Sequence, residues 1–245
     1  MTTVSWRSAA RTDIGKVRQN NEDALLSMPE HGLWAVADGM GGHQNGALAS
    51  RLIVENLAAL PTDGGLEMRL QRIRQCLYDV NLHLGRDLTL CGDFENPIIG
   101  STVVALLAEG NQAACIWAGD SRCYLRRNQR LYQLSRDHSV AQQMMDQHRL
   151  TPAQAAQHPS AHALTRAVGA TDTLTLDVLR LNLQPGDAFL LCSDGLYRSL
   201  STDAMGAALS HGSPDQALEQ LFQLALLGPA RDNLSAVVIQ SDENS

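Results

Sequence analysis

Five short apolar runs constrain the fold of this chain more than any other feature: Leu33–Ala37, Thr102–Leu107, Ala113–Trp117, Ala188–Cys192 and Ala236–Ile239. Each has the length of a β-strand, and most meet a Gly or Asp at one end. A strand with one wet face alternates apolar and polar residues. These runs are nearly continuous, which predicts strands buried on both faces. Helical patterns lie between them. Leu66, Leu70, Ile73, Leu77, Val80 and Leu84 recur at spacings of four and three. They place one apolar stripe on a helix of about five turns, read as packing on a sheet rather than as a coiled-coil seam. Residues 46–60 read as a second helix. Ser213-Pro214 supplies an N-cap and a first-turn Pro for a third, which Gly228-Pro229 stops. Two long helices fall together early, which is not the regular alternation of a doubly wound parallel sheet. An α+β sandwich of sheets covered by helices fits better.

No linker, low-complexity tract or repeat divides residues 1–245, so a single domain is expected. Residues 139–163 are rich in Gln and Ala, start a helix at Thr151-Pro152 and lack an apolar stripe. They read as a poorly buried excursion, either bordering a site or a plain solvated insertion. The chain carries 26 acidic against 19 basic residues, a net charge of −7. That balance argues against a nucleic-acid or anionic-membrane partner, because phosphate-backbone affinity needs clustered Lys and Arg. The one lysine, Lys16, sits outside any Gly-rich phosphate loop, which excludes a P-loop nucleotidase. The cysteines at 76, 91, 115, 123 and 192 show no C-x-x-C spacing and read as buried thiols in a reducing cytoplasm. Residues 1–11 carry no apolar h-region, and no run approaches the length of a membrane span.

The acidic residues fall at strand ends. Asp38-Gly39 follows the first run, Gly119-Asp120 the third and Asp194-Gly195 the fourth; Asp232-Asn233 precedes the last, and Glu22-Asp23 precedes the first. A single Asp-Gly is ordinarily a turn; in a sandwich, however, such ends can converge on one edge. Two carboxylates ~5 Å apart repel by roughly 3 kcal/mol at an effective dielectric of about 20. Either the carboxylates are dispersed over the surface or cations hold them together. With oxygen ligands and no paired His or Cys, the cation is a hard one, Mg²⁺ or Mn²⁺, and two such ions sharing a carboxylate suit phosphoryl hydrolysis. Gly39-Met40-Gly41-Gly42-His43-Gln44 lacks the third glycine of a dinucleotide fingerprint, and there is no G-x-S-x-G elbow. His138, in Asp137-His138-Ser139, reads as structural.

Arg18-Gln19-Asn20-Asn21-Glu22-Asp23, Asp38-Gly39-Met40-Gly41-Gly42-His43, Gly119-Asp120-Ser121-Arg122, Ser193-Asp194-Gly195-Leu196 and Asp232-Asn233-Leu234-Ser235 occur in this order. So ordered, the set resembles the metal-dependent protein phosphatases, the PPM or type 2C Ser/Thr family, in their compact bacterial form. Asp137-His138-Ser139 and Leu164–Gly169 match the family's middle section. The resemblance runs from about residue 5 to 240 and implies an antiparallel β-sandwich between helix layers (α-β-β-α). It implies two Mn²⁺ or Mg²⁺ ions, with a third, weaker one in bacterial members. Asp38 would serve both ions, the Gly39 carbonyl and Glu22 the second, and Asp194 and Asp232 the first. Asp23 would act in the outer shell, and Asp120 with Asp194 would match the third ion. Arg18 would grip the substrate phosphate, and residues 139–163 correspond to the family's flap.

Met40 stands where the eukaryotic branch has a His assigned as general acid. His43 is the nearby group that could protonate the leaving oxygen, although a structural His in a glycine turn fits as well. Ala47 replaces a frequent Glu, a change to which no chemistry is attached. The activity implied is hydrolysis of phosphoserine and phosphothreonine by a metal-activated water, by a monomer opposing a Ser/Thr kinase and its targets. The alternative is a non-catalytic phosphoprotein-binding relative. Such relatives usually lose metal ligands, and every expected one is retained here.

Overall fold

A computed structural model describes residues 5–41, 44–88 and 99–241. Its strands form two antiparallel sheets. In the first, β1 (Trp6–Asp13), β11 (Leu234–Ser241), β10 (Ala188–Cys192), β7 (Arg122–Arg127) and β8 (Arg130–Gln133) lie in that order. In the second the order is β2 (Asp23–Met28), β3 (Leu33–Met40), β5 (Val103–Glu109), β6 (Gln112–Ala118) and β9 (Asp177–Asn182); the short β4 (Gly100–Ser101) also pairs with β3.

Strand alternation sorts each apolar run onto two buried faces. On β3, Trp34 and Val36 join Val104, Leu106, Phe189, Leu191, Val237 and Ile239 in a layer between the sheets. Leu33, Ala35 and Ala37 turn the other way, under α1 (Gln44–Ala58) and α2 (Leu66–Leu82). On β10, Leu190 and Cys192 likewise face α5 (Asp194–Ser199), α6 (Thr202–Ala208) and α7 (Pro214–Leu227). Three stacked apolar layers make the α-β-β-α order, and double burial is the reason the strands read as unbroken runs. All six stripe residues from Leu66 to Leu84 are buried against the second sheet, so the stripe is core and not a coiled-coil seam. Ser213 caps α7 by accepting from the Gln216 N–H, and the helix ends before Gly228.

Two local readings change. β3 does not stop at Ala37 but runs through Asp38-Gly39 to Met40, so this Asp-Gly is strand and not turn. The second helix spans 44–58 rather than 46–60. The excursion holds α3 (Val140–His148) and α4 (Pro152–Ala155); α3 buries none of its residues. Its two ends are stitched together, the Val140 N–H bonding the Ala163 carbonyl and the Ala141 N–H that of Ala161. Among the described residues, no helix is long and apolar enough to cross a membrane.

Candidate active site

At one end of the sandwich the layer between the sheets stops being apolar. Following the alternation of Trp34 and Val36, the next inward residue of β3 is Asp38, and its cross-strand partner on β2 is Asp23. Like charges directly opposite are unfavourable in a sheet, so a polar plug meets them. Ser193 Oγ donates to Asp23 Oδ2 at 2.8 Å, and the Asp38 N–H donates to Thr102 Oγ1 at 3.1 Å. Thr102 Oγ1 in turn lies 2.7 Å from Ser121 Oγ.

A cavity of about 630 Å³ opens over this plug, lined in part by Arg18, Glu22, Asp38, Asp120, Asp194 and Asp232. Of the acidic residues at the strand ends, Glu22, Asp38, Asp120, Asp194 and Asp232 therefore face one cavity. Asp120 follows β6, Asp194 opens α5 after β10, and Asp232 precedes β11. Asp23 is not part of the lining and sits behind the wall on Ser193. His43 lies outside the described residues.

Asn233, which the sequence motif includes beside Asp232 without a role of its own, holds the loop bearing Arg18 and Glu22. Its Oδ1 accepts from the Glu22 N–H at 2.9 Å, and its Nδ2 donates to the Ile14 and Asn20 carbonyls at 3.0 and 3.1 Å. One amide side chain thus fixes both ends of the 14–22 segment to β11. Gly39 has an equally specific reason to be glycine. A Cβ there would stand 2.0 Å from the Gly46 carbonyl oxygen and 2.7 Å from that of Glu22. Backbone cannot yield as a side-chain tip can, so Gly39→Ala is expected to cost about 1–3 kcal/mol through forced overpacking, measured as a lower urea midpoint. Because the clash pushes α1 and Glu22 away from β3, activity should fall in the same variant.

Crowding shows in the protonation equilibria. Burial, and next the Asp23 charge, raise the Asp38 carboxyl well above the usual carboxylate range. Burial, with Asp194 and Asp232 adding to it, pushes Asp23 up to about 6 despite hydrogen bonds from Ser193 and Ser235. Asp120 is pushed up to about 7 by burial and by Asp194. Groups so arranged bind protons or cations in preference to standing charged together. Two guanidiniums already partner three of the lining carboxylates. Arg18 Nη2 lies 2.8 Å from Asp232 Oδ2, while Arg198 reaches both Asp194 and Asp120. With side chains so engaged, no three acidic, His or Cys side chains among the described residues close around one point as ligands would. The donor chemistry nevertheless suits a hard divalent ion, since five carboxylates line one cavity and are set in buried or half-buried backbone.

His138 is structural, as expected. Its Nδ1 accepts from the Gly119 N–H at 3.1 Å, which leaves the proton on Nε2, 3.1 Å from Asp177 Oδ2. Burial lowers its pKa. Its ring also stacks on Trp117.

A family model described as Protein phosphatase 2C matches residues 15–226. The serine/threonine protein phosphatase PstP of Mycobacterium tuberculosis is 36% identical over 239 residues, which are 96% of this chain and 45% of that protein. The chain thus spans about half the length of that relative. The serine/threonine phosphatase stp of Listeria monocytogenes is 28% identical, with 95% of this chain and 94% of that protein covered. Among solved structures, PppA of Pseudomonas aeruginosa, described as a key regulatory component of T6SS, superposes with a TM-score of 0.89 at 42% identity. The match covers 97% of this chain and 98% of that one. The catalytic domain of PstP in complex with two manganese ions gives a TM-score of 0.86 at 33% identity, covering 98% and 99% of the two chains.

Proposed function

The chain belongs to the protein phosphatase 2C family, and from that premise we propose that it is a metal-dependent serine/threonine protein phosphatase. The observation that carries the proposal is the ring of carboxylates of Glu22, Asp38, Asp120, Asp194 and Asp232 around one cavity, with a cationic fork, Arg18, among them.

Asp38 and the Gly39 carbonyl, with Glu22, Asp194 and Asp232, would hold two Mn²⁺ or Mg²⁺ ions, and Asp23 would act from behind on bound water. When bound, such ions supply a water acidic enough to attack at neutral pH and positive charge for the phosphoryl oxygens. The chain's own part is positional. The Thr102 hydroxyl and the β2–β3 register fix Asp38 at the cavity floor. Asn233 sets Glu22 and the Arg18 loop beside it. Arg18, half-exposed and resting on Asp232, would turn its planar fork onto two phosphate oxygens, a contact a lysine reproduces only as a point charge. His43, in the segment between β3 and α1, is the group proposed to protonate the leaving oxygen. The α3–α4 excursion would act as a flap, because the segment that leaves it, His162–Ala167, lines the cavity.

The substrates would be phosphorylated proteins in the cytoplasm, the targets of an opposing Ser/Thr kinase, met by a monomer. Components of a T6SS are the first to test, on the likeness to PppA. The deciding experiment is hydrolysis of a phosphothreonine peptide with Mn²⁺, repeated in EDTA. Turnover that disappears with chelation supports the proposal. A folded, Mn²⁺-supplied protein that releases no phosphate would overturn it in favour of phosphoprotein binding alone. In the same assay Arg18→Ala should raise KM about tenfold or more, the value of roughly 1.5–3 kcal/mol for a charged hydrogen bond. Arg18→Lys should recover only part of the loss.

A further inference from the structure

Asp120 and Asp194 reach the cavity from different elements, one from the turn between β6 and β7 and the other from the first turn of α5. A single guanidinium joins them. Arg198 Nη1 lies 2.8 Å from Asp194 Oδ2, and Nη2 donates to Asp120 Oδ2 at 3.3 Å. We propose that Arg198 is a tethered cation that stands in for a third divalent ion at Asp120 and Asp194, so that this chain works with two ions rather than three. The proposal rests on the two-ion reading above and concerns only what this carboxylate pair holds.

The arm that carries the charge is firmly set. Arg198 lies four residues beyond Asp194 on the same helix, the spacing that brings two side chains onto one face. Its neighbour Tyr197 packs its ring on the Arg122 guanidinium, 3.7 Å from the centroid. Arg122 is held in turn by a two-pronged contact to Asp137, at 2.8 and 2.7 Å. Ser199 Oγ ties back to the Gly195 carbonyl at 2.7 Å. Helix α5 is thus closed on itself at Ser199 and anchored next to Arg198 through Tyr197, and nearly two-thirds of the Arg198 side chain is out of solvent. A guanidinium stays charged at any ordinary pH, so it cannot step aside by losing a proton. A divalent ion entering between Asp120 and Asp194 would have to displace both hydrogen bonds. The displaced guanidinium, carried on α5 beside the pair, would stay close to the ion, and the like charges would repel each other. A lysine could not do the same: one ammonium on a flexible stem lacks the fork that spans two carboxylates.

The test is Mn²⁺ binding by calorimetry and by the electron-spin signal of free Mn²⁺, on the whole chain stripped with EDTA, with folding checked by circular dichroism. Wild-type protein is expected to take up two ions. Arg198→Met, which keeps the length and loses the charge, should bind a third at least tenfold more tightly than wild type does. Adding Asp120→Asn to that variant should abolish the gain, which locates the new ion. Arg198→Lys should fall between the two, and it carries the comparison if the Met variant does not fold. A further readout is melting in EDTA, where Arg198→Met should be less stable than wild type and regain more on Mn²⁺ addition. A third ion bound equally by wild type and variants overturns the proposal while leaving the two-ion reading intact. Folded proteins that bind no Mn²⁺ at all overturn both.

Discussion

Asp38→Asn should abolish metal-dependent phosphate release, with a loss of more than about 10²-fold, beyond what removing a merely outer-shell partner of a metal site costs. Asp38 is the carboxylate most hemmed in by others: Asp23, Asp194, Asp120 and Asp232 all press on its charge. On the proposed function it would be the ligand shared by the ions of a metal-supplied protein. In a chelated protein it is a liability. The same substitution should therefore raise the melting temperature in EDTA while it removes the activity, because a neutral amide in the same volume relieves the repulsion. A variant equally inactive but less stable in EDTA would mean that Asp38 supports the fold rather than the metals. Full turnover by Asp38→Asn would end the dinuclear assignment altogether.

The second large effect is a stability profile that runs against habit. Asp23 and Asp120 have folded pKa values raised from 3.8 to about 6 and about 7. Between those values and the unfolded one, the folded chain holds protons that the unfolded chain has released. Stability is then greatest near pH 4 and falls as pH rises toward 7. The salt-bridged Asp146 and Asp177, whose pKa values are lowered, act with the opposite sign but at more acidic pH. For these two carboxylates together the loss is on the order of 5 kcal/mol, or roughly 10–20 °C in a domain of this size. Melting curves in EDTA from pH 4.5 to 7.5 measure it. Asp120→Asn should flatten the slope. Saturating Mn²⁺ should reverse it, since metal ligands bind deprotonated. A chelated protein that grows steadily more stable over this range would show that the carboxylates are not crowded.

The central strands were legible because the sandwich buries them on both sides. The same sandwich hides its margins. β1 reads Trp-Arg-Ser-Ala-Ala-Arg-Thr-Asp and lies at a sheet edge with most residues half-buried or exposed. β8 and β9, also edges, are short and have no fully buried residue. Such segments lean on backbone pairing and a few half-buried contacts, such as Trp6 and Leu179, too sparse to give an apolar run. The acidic site was legible in outline, since strand-end carboxylates recur in a fixed order. That outline contained Asn233 but could not foresee its work, which is to bond three backbone groups of a distant loop. Nor could it foresee Arg198. α5 is only six residues long, too short for periodicity to announce a helix, so the four-residue step from Asp194 to Arg198 looked like any other spacing.

Strand β11 lies between β1 and β10, and it pairs with β1 across more than two hundred residues of chain, Asp13 against Leu234 and Trp6 against Ser241. Partners so remote make for a high contact order and slow closure. During synthesis, a chain that has emerged only to residue 230 holds β1 and β10 apart with their inner edges unpaired, open to aggregation and to chaperones. It also lacks Asp232 and Asn233, and so the anchor of the Arg18 loop. On the proposed function, activity would therefore wait for β11 to dock, since that strand both closes the sheet and brings the anchor of the Arg18 loop.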